Sequence, residues 1–346
     1  MSKTSAPHVQ PIADGWPQEV IELRDSRKRP MYYLGGSVDE KMLRKLFLDL
    51  KGRSLADMDL IVNSRGGYPD QAYQIVRVLK RHAKRLTCFV PRFAKSAATV
   101  ICLGADEIVF GELGELGPVD MQTLESVGGD VSFRSALNHA KAVDMVQRYA
   151  LTAFDTAVRV ITQRSGLTVK EAVSLAAEVS SGFAGPLFSQ ISPYKLGESS
   201  QLLKVSVEYC RRVLVRYHGF TEKDAREAAE ALTMAYPHHG FVIDAHELKG
   251  ILPQDDCQVA VRDATDDEQV ALSLLAAIEP DSAAHSGFVG GMPPACAPSQ
   301  PPPCGVQETS KSPAPGEVHP PPPAGQSETK STPGKDHGCA KPSTAA

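Results

Sequence analysis

The chain has 346 residues, of which 42% are hydrophobic, 23% charged and 6% aromatic, a balance that excludes wholesale disorder, collagen and a disulfide-stapled miniprotein. A formal net charge of -4 offers no general electrostatic case for gripping a nucleic-acid backbone. No apolar run approaches the roughly 18–20 residues of a bilayer span, and the first residues lack the apolar core of a secretion signal, so a cytoplasmic protein is expected.

Residues 20–23 and 31–34 read as short β-prone runs. Residues 39–50 read as a helix with Met42, Leu43, Leu46, Phe47 and Leu50 on one face. A strand over 59–63 ends in Ser64-Arg65-Gly66-Gly67, and Tyr73, Ile75, Val76 and Leu79 mark a second amphipathic helix. A strand over 86–90 stops at Pro91, a small-residue apolar helix follows over 96–103, and 108–110 is a further strand. Strands alternating with helices imply parallel crossover units. From about Val131 the pattern turns helical: 133–164, 168–179, 202–217 and 221–234 are helices, 244–248 is a short turn, and Ile251 opens a last strand.

The segment from 280 to 346 is a different material. More than half of the 26 prolines fall there with almost no large apolar residue, so it cannot offset its ordering entropy and is expected to be a disordered tail. Its proline runs admit a polyproline-binding partner, although a solubilising tail is the plainer reading. Residues 1–15 are expected to be flexible and 16–279 to form one folded domain. Seven cysteines, an odd number without a CxxC pair, point to buried free thiols rather than a disulfide framework. His238 and His239 form a dipeptide without nearby acidic partners in sequence, so no metal site is expected, and no cofactor is called for.

Two loops carry the chemistry. Gly66 and Gly67, directly after a buried strand, permit backbone angles that other residues resist and expose amide N–H groups to an incoming oxyanion. Ser96 lies at the start of an apolar helix after the next strand, where the helix dipole favours developing negative charge. Alone, the first is most often a simple turn and the second a helix cap. Both sit at the C-terminal ends of successive parallel strands, where crossover folds place their ligand sites.

At these residues the sequence resembles the serine peptidases of the ClpP/crotonase fold, the Clp-type and SppA-like (signal peptide peptidase, peptidase S49) enzymes. It is most similar to their prokaryotic branch named serine dehydrogenase proteinase. The likeness runs through Asn63-Ser64-Arg65-Gly66-Gly67, the small-residue turn around Ser96, Gly104-Ala105-Asp106-Glu107-Ile108 and Leu116-Gly117-Pro118-Val119-Asp120, and weakly through residues 186–191 and 239–243. It implies an α/β fold, a ClpP/crotonase-like spiral of β-β-α units, followed here by the helical half and the tail. It also implies peptide-bond hydrolysis through an acyl-enzyme on Ser96, with the N–H groups of Gly67 and Ala97 as oxyanion hole and Gly66 shaping the loop.

Two departures stand out. Arg65 occupies a place where such peptidases often have proline, and Asp120 lies where Clp-type enzymes carry the catalytic histidine. The base then comes from elsewhere: Lys141, 45 residues after Ser96 and followed by Tyr149, matches the Ser-Lys pattern of related membrane-associated peptidases, with Lys195 and His239 in reserve. An exposed helical Lys141 is an equally ordinary outcome. Lys95 is the poorer candidate, because adjacent side chains diverge. The resemblance implies peptide or unfolded-protein substrates and a homo-oligomer, and it admits peripheral membrane association. Two other functions stay open: a catalytically inactive oligomeric scaffold of the same fold, and a crotonase-type acyl-CoA enzyme, which needs no serine nucleophile.

Overall fold

The architecture rests on a six-stranded sheet in the order β10-β1-β2-β3-β5-β9, described in a computed structural model over residues 15–120, 122–127, 130–253, 259–280 and 286–291. Strands β1 (Met31–Gly35), β2 (Leu55–Asn63), β3 (Ala83–Val90), β5 (Glu107–Phe110) and β9 (Ala260–Asp263) run parallel, and β10 (Gly287–Phe288) closes the β1 edge antiparallel. β1 is buried along its whole length and β2 from Met58 onward, which is why both read as continuous apolar runs rather than alternating ones.

The crossovers that return each strand are α2 (Glu40–Leu50), α3 (Pro69–His82) and α4 (Ala97–Leu103). Asp39 starts α2 by accepting the Met42 N–H at 2.9 Å, and Met42, Leu46 and Leu50 recur at every fourth position on its buried stripe. In α3, Pro69 occupies the first turn and Ala72, Ile75, Val76 and Leu79 face the sheet. The apolar α4 is buried on every side. These three helices and parts of α7 (Pro193–His218), α8 (Glu222–Met234) and α9 (Ala245–Ile251) form the larger core on one sheet face. The opposite face carries α1 (Gln18–Arg27) and α10 (Asp266–Ala276), packed on Tyr33, Ile61, Phe89 and Val109.

Beyond β5 come the short β6 (Glu115–Leu116), which pairs in parallel with β4 (Phe93–Ala94), and a hairpin of β7 (Gln122–Val127) and β8 (Asp130–Ser135). The long helices α5 (Leu137–Ser165) and α6 (Val169–Phe188) then pack against each other. The α/β half followed by a helical half is the architecture that the sequence implies.

Several local expectations are corrected. Residues 20–23 belong to α1, because Val20 and Leu23, three apart, bury together on one helical face against α10; in a strand they would point to opposite faces. Residues 133–135 end β8, so the helix expected from 133 begins at Leu137. Ile251 ends α9 rather than opening a strand. The helix expected from 202 begins at Pro193, where Ser192 accepts the Lys195 N–H at 3.4 Å, and α6 passes through Pro186 to Phe188. Residues 286–291, inside the stretch assigned by composition to the tail, supply β10 to the sheet. The rest of the expected tail from 292, and residues 1–14, lie outside the described residues. Cys88, Cys102 and Cys210 are buried free thiols, and the other four cysteines fall outside the described residues.

Candidate active site

β2 and β3 deliver their connecting loops side by side at the C-terminal edge of the sheet. Their pairing continues past the sheet proper: the Ser64 N–H donates to the Phe93 carbonyl at 2.7 Å and the Lys95 N–H to the Ser64 carbonyl at 3.0 Å. The glycine turn and the Ser96 turn are thereby fixed relative to one another by backbone. Ser64 also braces its own turn, donating its hydroxyl to the Gly36 carbonyl at 2.5 Å and accepting the Gly66 N–H at 3.1 Å.

Both glycines are required by contact as well as by conformation. A Cβ on Gly66 would lie 2.7 Å from the Lys95 carbonyl oxygen and 2.9 Å from Ser96 Cβ, at a φ of +105°. A Cβ on Gly67 would lie 2.3 Å from the Val38 carbonyl oxygen. On that side the Val38 N–H donates to the Gly66 carbonyl at 2.9 Å. In a planar trans peptide the carbonyl and the following N–H point in opposite directions. The Gly67 N–H therefore points away from the Val38 N–H. Gly66 spends its own N–H on Ser64, so its part is to let the Ser96 turn approach.

Ser96 has φ +53° and ψ -119°, and among the described residues only Lys28 shares a positive φ without being glycine. Such a backbone costs about 1–3 kcal/mol and persists only where its surroundings impose it. The ordinary explanation of a serine before a helix fails here, because its side chain caps no N–H of α4, and among the described residues the hydroxyl has no hydrogen-bond partner. Ala97, the first residue of α4, carries one of the amides that helix geometry leaves unpaired, and its nitrogen lies 3.4 Å from the space beside Gly66. A largely buried hydroxyl thus stands at a helix N-terminus, next to a glycine turn packed against its own backbone.

The candidate bases are distributed as follows. His239 Nδ1 lies 2.7 Å from Asp120 Oδ1, and the fully buried Asp120 accepts a second bond from the Ser135 hydroxyl. A carboxylate on Nδ1 makes that nitrogen the donor and leaves Nε2 as the acceptor. Asp120 follows Gly117, whose carbonyl lies 2.8 Å from the Thr99 hydroxyl three residues past Ser96, and His239 precedes Phe241, whose carbonyl lies 3.1 Å from Lys95 Nζ. Both members of the pair thus stand on segments that border the Ser96 turn. Lys141 donates to the Tyr236 carbonyl at 2.5 Å, and Tyr149 faces outward from α5, largely exposed. Lys195 is exposed in the first turn of α7. None of the three hydrogen-bonds Ser96 in the resting chain.

What sequence reading missed is the partnership. Asp120 reads in sequence only as a missing histidine and His239 as a reserve base, and their separation of 119 residues hides a 2.7 Å contact. Among the described residues no group of three or more His, Cys, Asp or Glu could hold a metal ion, and no helix is long and apolar enough to cross a membrane.

Residues 30–174 match the ClpP-like SDH-type serine proteinases. The matched segment contains the glycine turn, Ser96, Asp120 and Lys141, but not His239. Two uncharacterized proteins of Methanocaldococcus jannaschii are 39% identical over 83 residues and 38% over 65 residues. Those matches cover 24% and 19% of this chain, and only 28% and 22% of the relatives' own lengths. Among solved structures, a mutant of a membrane-bound stomatin-specific protease is similar at 15% identity and a TM-score of 0.27, covering 41% of this chain and 66% of that one. The ClpP catalytic domain of Plasmodium falciparum follows at 19% identity and 0.22, covering 27% of this chain and 56% of its own. ClpP1 of Listeria monocytogenes is similar at 15% identity and 0.23, covering 45% of this chain and 82% of its own. The fold is a mixed α/β one built on a mainly parallel sheet, and over residues 30–174 the sequence is similar to the ClpP-like SDH-type serine proteinases.

Proposed function

We propose that the protein is a serine peptidase that cuts peptide or unfolded-protein segments through an acyl-enzyme on Ser96. The observation that carries this reading is the strained Ser96 backbone at the start of α4, which presents a hydroxyl with no structural task beside the Gly66-Gly67 turn. Ser96 Oγ attacks the peptide carbonyl, and the tetrahedral oxyanion is received by the N–H groups of Gly67 and Ala97. Each such donor is worth about 3 kcal/mol of barrier. His239 Nε2 takes the hydroxyl proton, passes it to the leaving amine, and later activates the water that hydrolyses the ester; Asp120 holds its tautomer and steadies the imidazolium. The Asp120 contact supports His239 over Lys141 as base. Lys141 remains the second reading because its amine reaches Tyr236, on the same loop as His239, though it is committed there to a carbonyl.

Fluorophosphonate labelling tests the assignment. Ser96→Ala should abolish it, and His239→Ala should slow it by about 10²- to 10⁴-fold, while Lys141→Met should cost far less. Equal labelling of wild type and Ser96→Ala would overturn the peptidase reading, and loss in Lys141→Met with retention in His239→Ala would return the base to the lysine. No labelling of wild type would favour a scaffold, and tight binding of CoA thioesters an acyl-CoA enzyme.

Assembly as a homo-oligomer belongs to the same proposal. α6 buries only Ala172, Ala176, Ser180 and Ala184 against its neighbour, while Val173, Leu175, Val179 and Phe183 stay exposed beside that stripe. A helix apolar over so wide an arc calls for further cover, and a second copy of this chain would supply it. A cytoplasmic setting agrees with three buried thiols that remain unpaired as disulfides.

A further inference from the structure

We propose that Lys95 is a positioning residue that locks the segments carrying Asp120 and His239 against the Ser96 turn, an inference that rests on the reading of Ser96 and His239 given above. Lys95 directly precedes Ser96, is almost fully buried, and turns its side chain the other way. Its ammonium has three protons and finds three acceptors: the Leu116 carbonyl at 3.0 Å, the Phe241 carbonyl at 3.1 Å and Glu115 Oε1 at 3.1 Å. Burial pushes its pKa below the ordinary lysine value, and Glu115 opposes that shift. With every proton engaged and its stem directed away from the neighbouring hydroxyl, it is a strut rather than a base.

The stem also sets a packing constraint. Lys95 Cδ lies over Gly117, where a Cβ would come within 2.5 Å of it. One side chain therefore joins the nucleophile turn, the 115–117 segment that leads to Asp120 three residues on, and the loop in which Phe241 follows His239 by two. The antiparallel bridge between Leu116 and Ile243, bonded at 2.9 and 3.1 Å, ties those last two segments to each other but not to Ser96. The β4–β6 pairing and the Thr99 bonds to Gly117 also tie the nucleophile turn to the 115–117 segment, but among the described residues Lys95 is the one polar link from that turn to the histidine loop. Bonds from an ammonium to carbonyls in a buried site are stronger than neutral ones, which suits a group that must hold reacting atoms in register.

The test pairs Lys95→Met with Glu115→Gln, so that no uncompensated half-buried carboxylate is left behind. In the full chain the double variant should lower the fluorophosphonate labelling rate about ten- to a hundredfold, as small misplacements of catalytic groups do, while its far-UV circular dichroism stays that of wild type. The same double variant in a His239→Ala background should add little further loss, because what it misplaces is already gone. Gly117→Ala, which displaces the Lys95 stem and leaves every polar group in place, should reproduce both results. A wild-type labelling rate in Lys95→Met/Glu115→Gln would overturn the proposal, and so would an undiminished loss in the His239→Ala background, which would mark a purely structural role at Ser96. Wild-type labelling in His239→Ala alone would instead overturn the base assignment, and with it the function ascribed to the strut.

Discussion

Gly67→Ala probes the proposed oxyanion hole most directly. The added methyl would sit 2.3 Å from the Val38 carbonyl oxygen and 2.9 Å from both Val38 C and Val38 N, all of them backbone atoms. Ordinary van der Waals contact begins near 3.4 Å, so Val38 and the glycine turn must part by about 1 Å, straining the Val38 N–H to Gly66 carbonyl bond that orients the Gly67 amide. A donor moved that far from an oxyanion is effectively lost, which costs roughly 10²- to 10³-fold in acylation rate. The backbone strain adds a stability penalty of about 1–3 kcal/mol. Gly52→Ala separates the two effects: its φ is +75° but a Cβ there meets nothing within 4 Å. Labelling rate and thermal unfolding midpoint would be measured for wild type, Gly67→Ala, Gly52→Ala and Ser96→Ala. The expected pattern is slow labelling by Gly67→Ala alone among the glycine variants, with both somewhat destabilised. Wild-type labelling by folded Gly67→Ala would refute the orientation argued for that amide.

Asp120→Asn should approach the labelling defect of His239→Ala, because an amide can donate to Nδ1 and leave the proton on Nε2, where it blocks acceptance; a wild-type rate would remove Asp120 from the mechanism. His218 is buried, with Nε2 on the Leu103 carbonyl at 2.8 Å and Nδ1 without a partner among the described residues. Burial, assisted by Lys80, pushes its pKa down to about 4 from the ordinary 6.5. Its stabilising effect is complete above pH 6.5 and declines as pH falls toward about 4, by up to roughly 3 kcal/mol. Denaturant unfolding of wild type and His218→Asn across that range should show the slope shrinking in the variant, and equal slopes would count against it. Phe183→Glu with Leu175→Glu on α6 should shift the particle toward monomer by light scattering; an unchanged mass would place the subunit contact elsewhere.

Much of the candidate site is legible in the chain because its signals are local. Gly66, Gly67 and Ser96 declare themselves by residue type at the ends of recognisable strands, and the structure adds the reason: two glycines that admit no Cβ and a serine at positive φ. The alternation of α2, α3 and α4 with buried strands is equally local, since α2 and α3 show their buried faces within three or four turns and α4 is a short run buried on every side. Val20–Leu23 is misread for the same reason, because four residues are too few to separate a period of 3.6 from one of 2. β10 hides in a glycine-rich stretch whose composition says nothing of the β1 edge that receives it.

By itself, then, the amino-acid order determined the parallel α/β core, the helical half that follows it, and the position of Ser96 and the glycine turn at the ends of neighbouring strands. Only the folded chain decided that Asp120 holds His239, that Lys141 turns to Tyr236, and that Lys95 stitches three segments together. Apolar periodicity is written in neighbours, since burial is a property of a face. A polar contact between residues more than a hundred positions apart leaves no periodic trace, because it depends on where whole segments are carried by the packing of others.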